Sequence, residues 1–278
     1  MVDSIKRLLN FYINSSVHVA LAVVSLVSVS FLEFALELEE ELLLFVFFAS
    51  VTGYNFVKYF GIAKFHHRSL TNWLKTIQVF SFFAFLLMLF YAVKLPVRTL
   101  LFFAGFGLVT FFYAIPFLPK HFFVDKKQNL RSIGGLKIYL IALVWSGVTV
   151  LVPVLNANMQ IEQDVIITLL QRYIFVIVLM FPFEIRDLRF DNLKLSTIPQ
   201  RIGVKKTKII GTVLVVLIVL LEFMKDDMQI AMVIPLILIS IITTIFIWLA
   251  NTNQSKYYSA LWVEGIPIYW LALILMFR

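Results

Sequence analysis

Glu184, Asp187 and Asp191 stand at i, i+3 and i+7 in the stretch FPFEIRDLRFDNLKLST, residues 181–197, directly after an apolar run. On a helix of 3.6 residues per turn that spacing puts three carboxylates on one face. Like charges so close repel unless a cation lies between them. A hard divalent cation such as Mg²⁺ suits oxygen ligands and keeps positions for water and phosphate. Lys120, Arg131 and Arg68 are the bases that could converge on such a site from neighbouring loops, Arg gripping phosphate as a fork and Lys as a compact charge. Acids for a metal, bases for phosphate and an apolar chamber beneath describe a site for a polyisoprenyl diphosphate, in which charge developing on the departing diphosphate is stabilised. The same residues also suit two plainer roles: anchoring a span at the interface with acid–base pairs along a helix, or docking another protein.

The elements that must position these groups are membrane spans. Of 278 residues 61% are hydrophobic and only 14% charged, with 29 phenylalanines, more apolar surface than a soluble domain of this size can hide. The apolar segments run well past ten residues without alternation, which excludes a barrel and predicts an all-α bundle. Nine spans are expected, at residues 17–35, 41–60, 72–93, 97–115, 134–154, 165–183, 208–224, 229–250 and 257–277. No linker or low-complexity segment interrupts them, so residues 1–278 are expected to form one transmembrane domain. The amphipathic opening MVDSIKRLLNFYINSS lacks a small-residue cleavage site and reads as a retained segment.

Charge sets the expected orientation. Loops after even-numbered spans hold most of the bases, and the opposite loops hold Glu33, Glu37, Glu39, Glu40, Glu41, Glu162, Asp164, Glu222, Asp226 and Asp227. The positive-inside rule then places the N-terminus in the cytoplasm and Arg278 on the far side of a membrane, read as the bacterial cytoplasmic (inner) membrane. The net charge of +8 lies in short loops rather than on a soluble basic face, which excludes nucleic acid as the partner and favours membrane lipid headgroups or a phosphorylated lipid. With no cysteine there is no thiolate metal site.

The run Glu184-Ile185-Arg186-Asp187-Leu188-Arg189-Phe190-Asp191, followed by Ser196-Thr197-Ile198-Pro199 and Ile202-Gly203, resembles the second aspartate motif, DxRDxxxD, of the UbiA-like intramembrane prenyltransferases, the superfamily of 4-hydroxybenzoate polyprenyltransferase. Tyr113-Ala114-Ile115-Pro116, Lys120, Arg131 and Gly135-Leu136-Lys137 resemble its Tyr-Ser-x-Pro stretch and the basic loop that follows. The resemblance implies a nine-helix fold and Mg²⁺ held by Glu184, Asp187 and Asp191. It implies that Lys120, Arg131, Arg68, Tyr113 and Asn55 meet the diphosphate-bearing substrate. The activity it implies is transfer of an isoprenyl group from its diphosphate to an aromatic or lipid acceptor, itself membrane-embedded or amphipathic.

The first aspartate motif, NDxxDxxxD in the family, falls on residues 55–63, where Asn55 survives but Phe56, Tyr59 and Ala63 replace the three acids. Two consequences are open. Lys58, with His66 and His67, compensates for lost metal charge, or the chain is a noncatalytic isoprenoid-lipid-binding or scaffold protein built on the same fold. Glu264 and His18, polar groups inside spans, read as turned toward protein or water.

Overall fold

The computed structural model describes residues 2–63, 72–114, 135–189 and 197–278, and every regular element among them is helical. In chain order these are α1 (Val2–Asn14), α2 (Val17–Glu33), α3 (Glu40–Ala63), α4 (Asn72–Ala92), α5 (Val97–Ala114), α6 (Leu136–Ser146), α7 (Val152–Asn156), α8 (Gln163–Asp187), α9 (Ile198–Ile202), α10 (Val204–Glu222), α11 (Ile230–Leu249) and α12 (Ile266–Phe277). A π-helical turn, Gly147–Leu151, joins α6 to α7, and another, Tyr258–Val263, precedes α12.

Each of the nine apolar segments falls on a helix. Among the described residues six helical stretches are long and apolar enough to cross a membrane, or seven if the bent pair α1 and α2 is one span, where the sequence predicts nine. The other two segments are α5, an apolar helix over its described Val97–Phe112, and α10, which carries Lys205, Lys206 and Lys208 in its first turns and Glu222 at its end. The apolar stretch of α10, residues 209–221, rises only about 20 Å against a hydrocarbon core of about 30 Å. Large apolar side chains such as Phe82, Val213, Ile241 and Leu275 face outward, the arrangement of an integral membrane protein.

The helices close into a ring. Successive contacts run α3, α2, α12, α11, α10, α8, α6 and α5, and α5 returns to α3; α4 packs outside against α3. α8 is the most enclosed span and continues through Pro182 to Asp187, so Glu184 and Asp187 lie on the same helix as expected. The Pro182 carbonyl accepts hydrogen bonds from Gln254 Nε2 at 2.9 Å and Ser259 Oγ at 3.4 Å.

Breaks in this ring are closed by side chains from other helices, because a backbone polar group left open in hydrocarbon costs several kcal/mol, roughly. α1 and α2 diverge by 56° at Ser16, whose φ of 65° is left-handed. The carbonyls released there meet one face of α3: Asn55 Nδ2 donates to Ser15 O at 2.9 Å, Tyr59 Oη to Asn14 O at 2.8 Å, and Lys58 Nζ to Ile13 O at 3.4 Å and Ser16 Oγ at 2.8 Å. Asn55 also accepts from Ser16 Oγ and donates to Ser81 Oγ of α4, each at 2.8 Å.

At the other end of the bundle Arg172 is almost wholly buried. Its Nη1 donates to Leu26 O at 3.0 Å, its Nη2 lies 3.9 Å from Glu33, and its guanidinium sits 4.8 Å over the Trp270 ring. Lys225 bridges Glu33 and Glu222, so two acids and two bases form a neutral network among α2, α8 and the end of α10. Burial works against the Lys225 ammonium, but Glu33 and Glu222 beside it outweigh that and raise its pKa above the ordinary lysine value.

Gly147 opens the first π-helical turn where Phe106 of α5 lies on the backbone; a Cβ there would come within 2.0 Å of that ring. Gly147→Ala is expected to displace Phe106 and lower the thermal unfolding midpoint by the equivalent of about 1–3 kcal/mol. Gly105→Ala, where a Cβ meets nothing within 4 Å, is expected to leave the midpoint unchanged or raise it. Intrinsic tryptophan fluorescence in detergent reads both.

Candidate functional site

Inside the ring, α3, α5, α6, α8 and the turn at Glu264 enclose a cavity of about 420 Å³. A second hollow of about 690 Å³ continues from it between α3, α4, α5 and the turn after α6. Gly53, Tyr54, Thr110, Val144 and Trp145 line both. At this junction Trp145 Nε1 donates to Tyr54 Oη at 2.6 Å, and the rings meet edge to face. The larger hollow is walled by Phe45, Phe56, Phe85, Phe103, Phe106 and Phe111.

The charged groups collect at the other end. Lys58, Lys137 and Glu264 line the smaller cavity. Lys137 owes its place to the left-handed Gly135, φ 76°, which starts α6 two residues earlier. On α8, Val176, Leu179, Met180 and Phe183 line the cavity, and helical spacing carries that face on to Glu184 and Asp187. Asp187 is held by Arg186, Nη2 to Oδ1 at 2.7 Å and Nε to Oδ1 at 2.8 Å, with Lys137 at 3.9 Å from Oδ2. Glu184, one turn earlier, is buried at 2% exposure. Arg186 also lies 5.4 Å over the Phe183 ring.

The expected site residues divide accordingly. Neither Glu184 nor Asp187 lines the cavity itself; Asp187 lies beside it through its contact with Lys137, and Glu184 is buried one turn before. Asp191, Lys120, Arg131, Arg68, His66 and His67 lie outside the described residues, and Tyr113 lies on α5 with its side chain outside them. Asn55 is buried with its amide taken up in joining α1, α3 and α4, so the structure gives it a helix-joining role in place of the substrate contact expected. Phe56 stacks on Phe111 at 6.1 Å in the wall of the larger hollow without filling it, and Tyr59 is turned to the end of α1. Among the described residues no three His, Asp or Glu side chains cluster closely enough to hold a metal ion. The donor chemistry of Glu184 and Asp187 still fits Mg²⁺, which takes one or two carboxylates and completes its shell with water and phosphate oxygens.

Sequence reasoning passed over Arg172 and the Tyr54–Trp145 junction, while Lys137, named with the basic loop, lines the cavity. The available signal was Arg172 itself, a cation nine residues into an apolar span, which is costly unless paired inside the protein.

No family model and no curated protein matches the chain in sequence. In structure it is similar to a digeranylgeranylglyceryl phosphate synthase in membranes, with a TM-score of 0.55 and 16% identity over 98% of this chain and 97% of that one. The likeness is one of fold: the two chains share an all-helical architecture over nearly their whole length.

The Tyr54–Trp145 pair divides a charged cavity from an apolar one. Trp145→Ala is expected to merge the two and weaken selectivity for linear isoprenoid tails over bulky apolar ligands. Tyr54→Phe, which keeps the ring, is expected to preserve it. Competition between geranylgeraniol and a branched sterol for the purified protein measures the ratio.

Proposed function

We propose that this chain transfers an isoprenyl group from its diphosphate to an aromatic or lipid acceptor inside a membrane, as one bundle of residues 1–278 in which α5 and α10 also cross, giving nine spans. The observation that carries the reading is a cavity whose charged end holds Lys58 and Lys137 beside Asp187 and whose far end opens into a hollow of phenylalanines. An isoprenyl diphosphate has that polarity, a multiply charged head on an apolar tail. The fold likeness to a digeranylgeranylglyceryl phosphate synthase agrees with it.

In this reading the charged end lies at the cytoplasmic side of the bacterial inner membrane, with the N-terminus cytoplasmic and Arg278 opposite, because the bases flank that end. Lys58 and Lys137 hold the diphosphate, joined by Lys120, Arg131 and Arg68 from the neighbouring loops and by Tyr113. Glu184, Asp187 and Asp191 are the oxygen ligands for Mg²⁺. The ion, when bound, neutralises charge on the diphosphate as the bond between C1 and oxygen breaks. Donor binding gives Lys137 and Arg186, which hold Asp187 in the free protein, phosphate oxygens to engage instead. The hollow orients the tail and excludes water. Lys58 supplies positive charge where the resembled family carries acids for a metal.

The test is turnover by purified protein with isoprenyl diphosphates of different lengths and lipid-extract acceptors. Release of diphosphate is expected to require Mg²⁺ and to fall at least ~100-fold in Asp187→Asn, the range for loss of a charge-stabilising group. Donor binding without release from any donor would instead make the protein a noncatalytic isoprenoid-lipid carrier or scaffold. The commitment of Asn55, Lys58 and Tyr59 to the end of α1 is the observation on that side.

A further inference from the structure

Glu264 is a carboxylate inside the last membrane-crossing stretch, Tyr258–Phe277, and it lines the smaller cavity. It is the one acidic side chain among the described lining residues, which also include Lys58 and Lys137. Lys58 and Arg186 act on it through space, but no described residue donates a hydrogen bond to it. A carboxylate at that depth is costly and is retained where it meets water, substrate or a partner.

The backbone around it is built to aim it. The π-helical turn Tyr258–Val263 ends with the Glu264 N–H donating to Ser259 O at 3.0 Å, and such a turn inserts a residue and rotates the side chains that follow. The turn is fastened on two sides, by Ser259 and Gln254 to Pro182 O of α8 and by His18 Nε2 to Leu261 O at 2.8 Å. His18 Nδ1 in turn meets Tyr12 Oη at 2.8 Å. The cavity thus has cations suited to the diphosphate and, among its described lining residues, a carboxylate open to accept a hydrogen bond.

We propose that Glu264 binds the acceptor's hydroxyl and takes its proton, which makes an alcohol the class of second substrate. This rests on the prenyl-transfer reading above. The acceptor oxygen forms the new bond to C1 of the isoprenyl group, the bond from C1 to the diphosphate oxygen breaks with its electron pair leaving on the diphosphate, and the hydroxyl proton passes to the Glu264 carboxylate. An aromatic carbon acceptor has no polar hydrogen at the attacking atom to give to Glu264 on binding.

The test uses the full chain in nanodiscs with Mg²⁺, radiolabelled geranylgeranyl diphosphate as donor, and geranylgeranylglyceryl phosphate or 4-hydroxybenzoate as acceptor. Transfer to the alcohol is expected from wild type. Glu264→Gln and Glu264→Ala are expected to lower kcat about 100-fold or more, the range for a general base, with donor dissociation constants within about threefold of wild type. Sodium formate is expected to restore part of the activity of Glu264→Ala and none to Glu264→Gln, which leaves no room for it. That rescue separates proton transfer from a counterion role toward Lys58, in which case Glu264→Gln would alter donor affinity and leave kcat unchanged. The assignment is overturned if both variants transfer within about threefold of wild type, or if wild type uses only the aromatic carbon acceptor. A wild type that binds the donor and transfers to neither acceptor overturns the prenyl-transfer reading itself, and the assignment with it.

Discussion

A helix that breaks inside hydrocarbon must have its released carbonyls and N–H groups closed by another part of the protein, and the walls of the cavity depend on how this chain meets that demand. The break at Ser16 is closed by Asn55, Lys58 and Tyr59 of α3, which fixes the rotation of α3 and turns Gly53, Tyr54 and Val57 inward. The π-helical turn before α12 is closed by His18 on one side and by its links to the Pro182 carbonyl on the other. Interhelical hydrogen bonds of this kind contribute about 0.6 kcal/mol each on average, so their number and shared geometry matter more than any one of them.

Two polar centres result, and they differ in how far they are closed. Around Arg172 and Lys225 the acids Glu33 and Glu222 neutralise both bases, and Thr168 and Gln171 fill remaining acceptor positions at 2.8 and 2.9 Å. Such a closed network joins helices, and removal of one member leaves a buried charge exposed to hydrocarbon at a cost of about 3–5 kcal/mol. The centre at the cavity is open: Lys58, Lys137 and Glu264 line a space large enough for a ligand, and Arg186 and Lys137 hold Asp187 beside it. Cations that line a cavity are where an anionic headgroup gains most, since low-dielectric walls strengthen each pairing.

Much of the bundle was legible in the sequence because lipid-facing helices need only long apolar runs, and the edges of α2, α4 and α8 fall within a few residues of the expected spans. The turn at Ser16 left only a polar Asn-Ser-Ser cue, and the π-helical turns left none, since an added backbone residue does not change composition. Glu184 and Asp187 were legible by helical spacing. The type of Asn55 says that it hydrogen-bonds but not to what; its partners Ser15, Ser16 and Ser81 come together only in the fold. The replacement of acids at residues 56 and 59 gains a physical reason from the same packing: Tyr59 closes the Asn14 carbonyl, a task for a donor, and Phe56 stacks in the apolar wall.

The account stands on the claim that an isoprenyl diphosphate enters with its head among the lysines and its tail beyond Trp145. The most direct measurement is a structure of the full chain with Mg²⁺ and geranylgeranyl thiodiphosphate, whose C1–sulfur bond resists cleavage. The account predicts diphosphate density between Lys58 and Lys137, facing the Glu184 and Asp187 end of α8, and a tail running past Tyr54 into the phenylalanine hollow. Density beside Lys225 at the opposite end, or an empty hollow with Asp187 still held by Arg186, would contradict it.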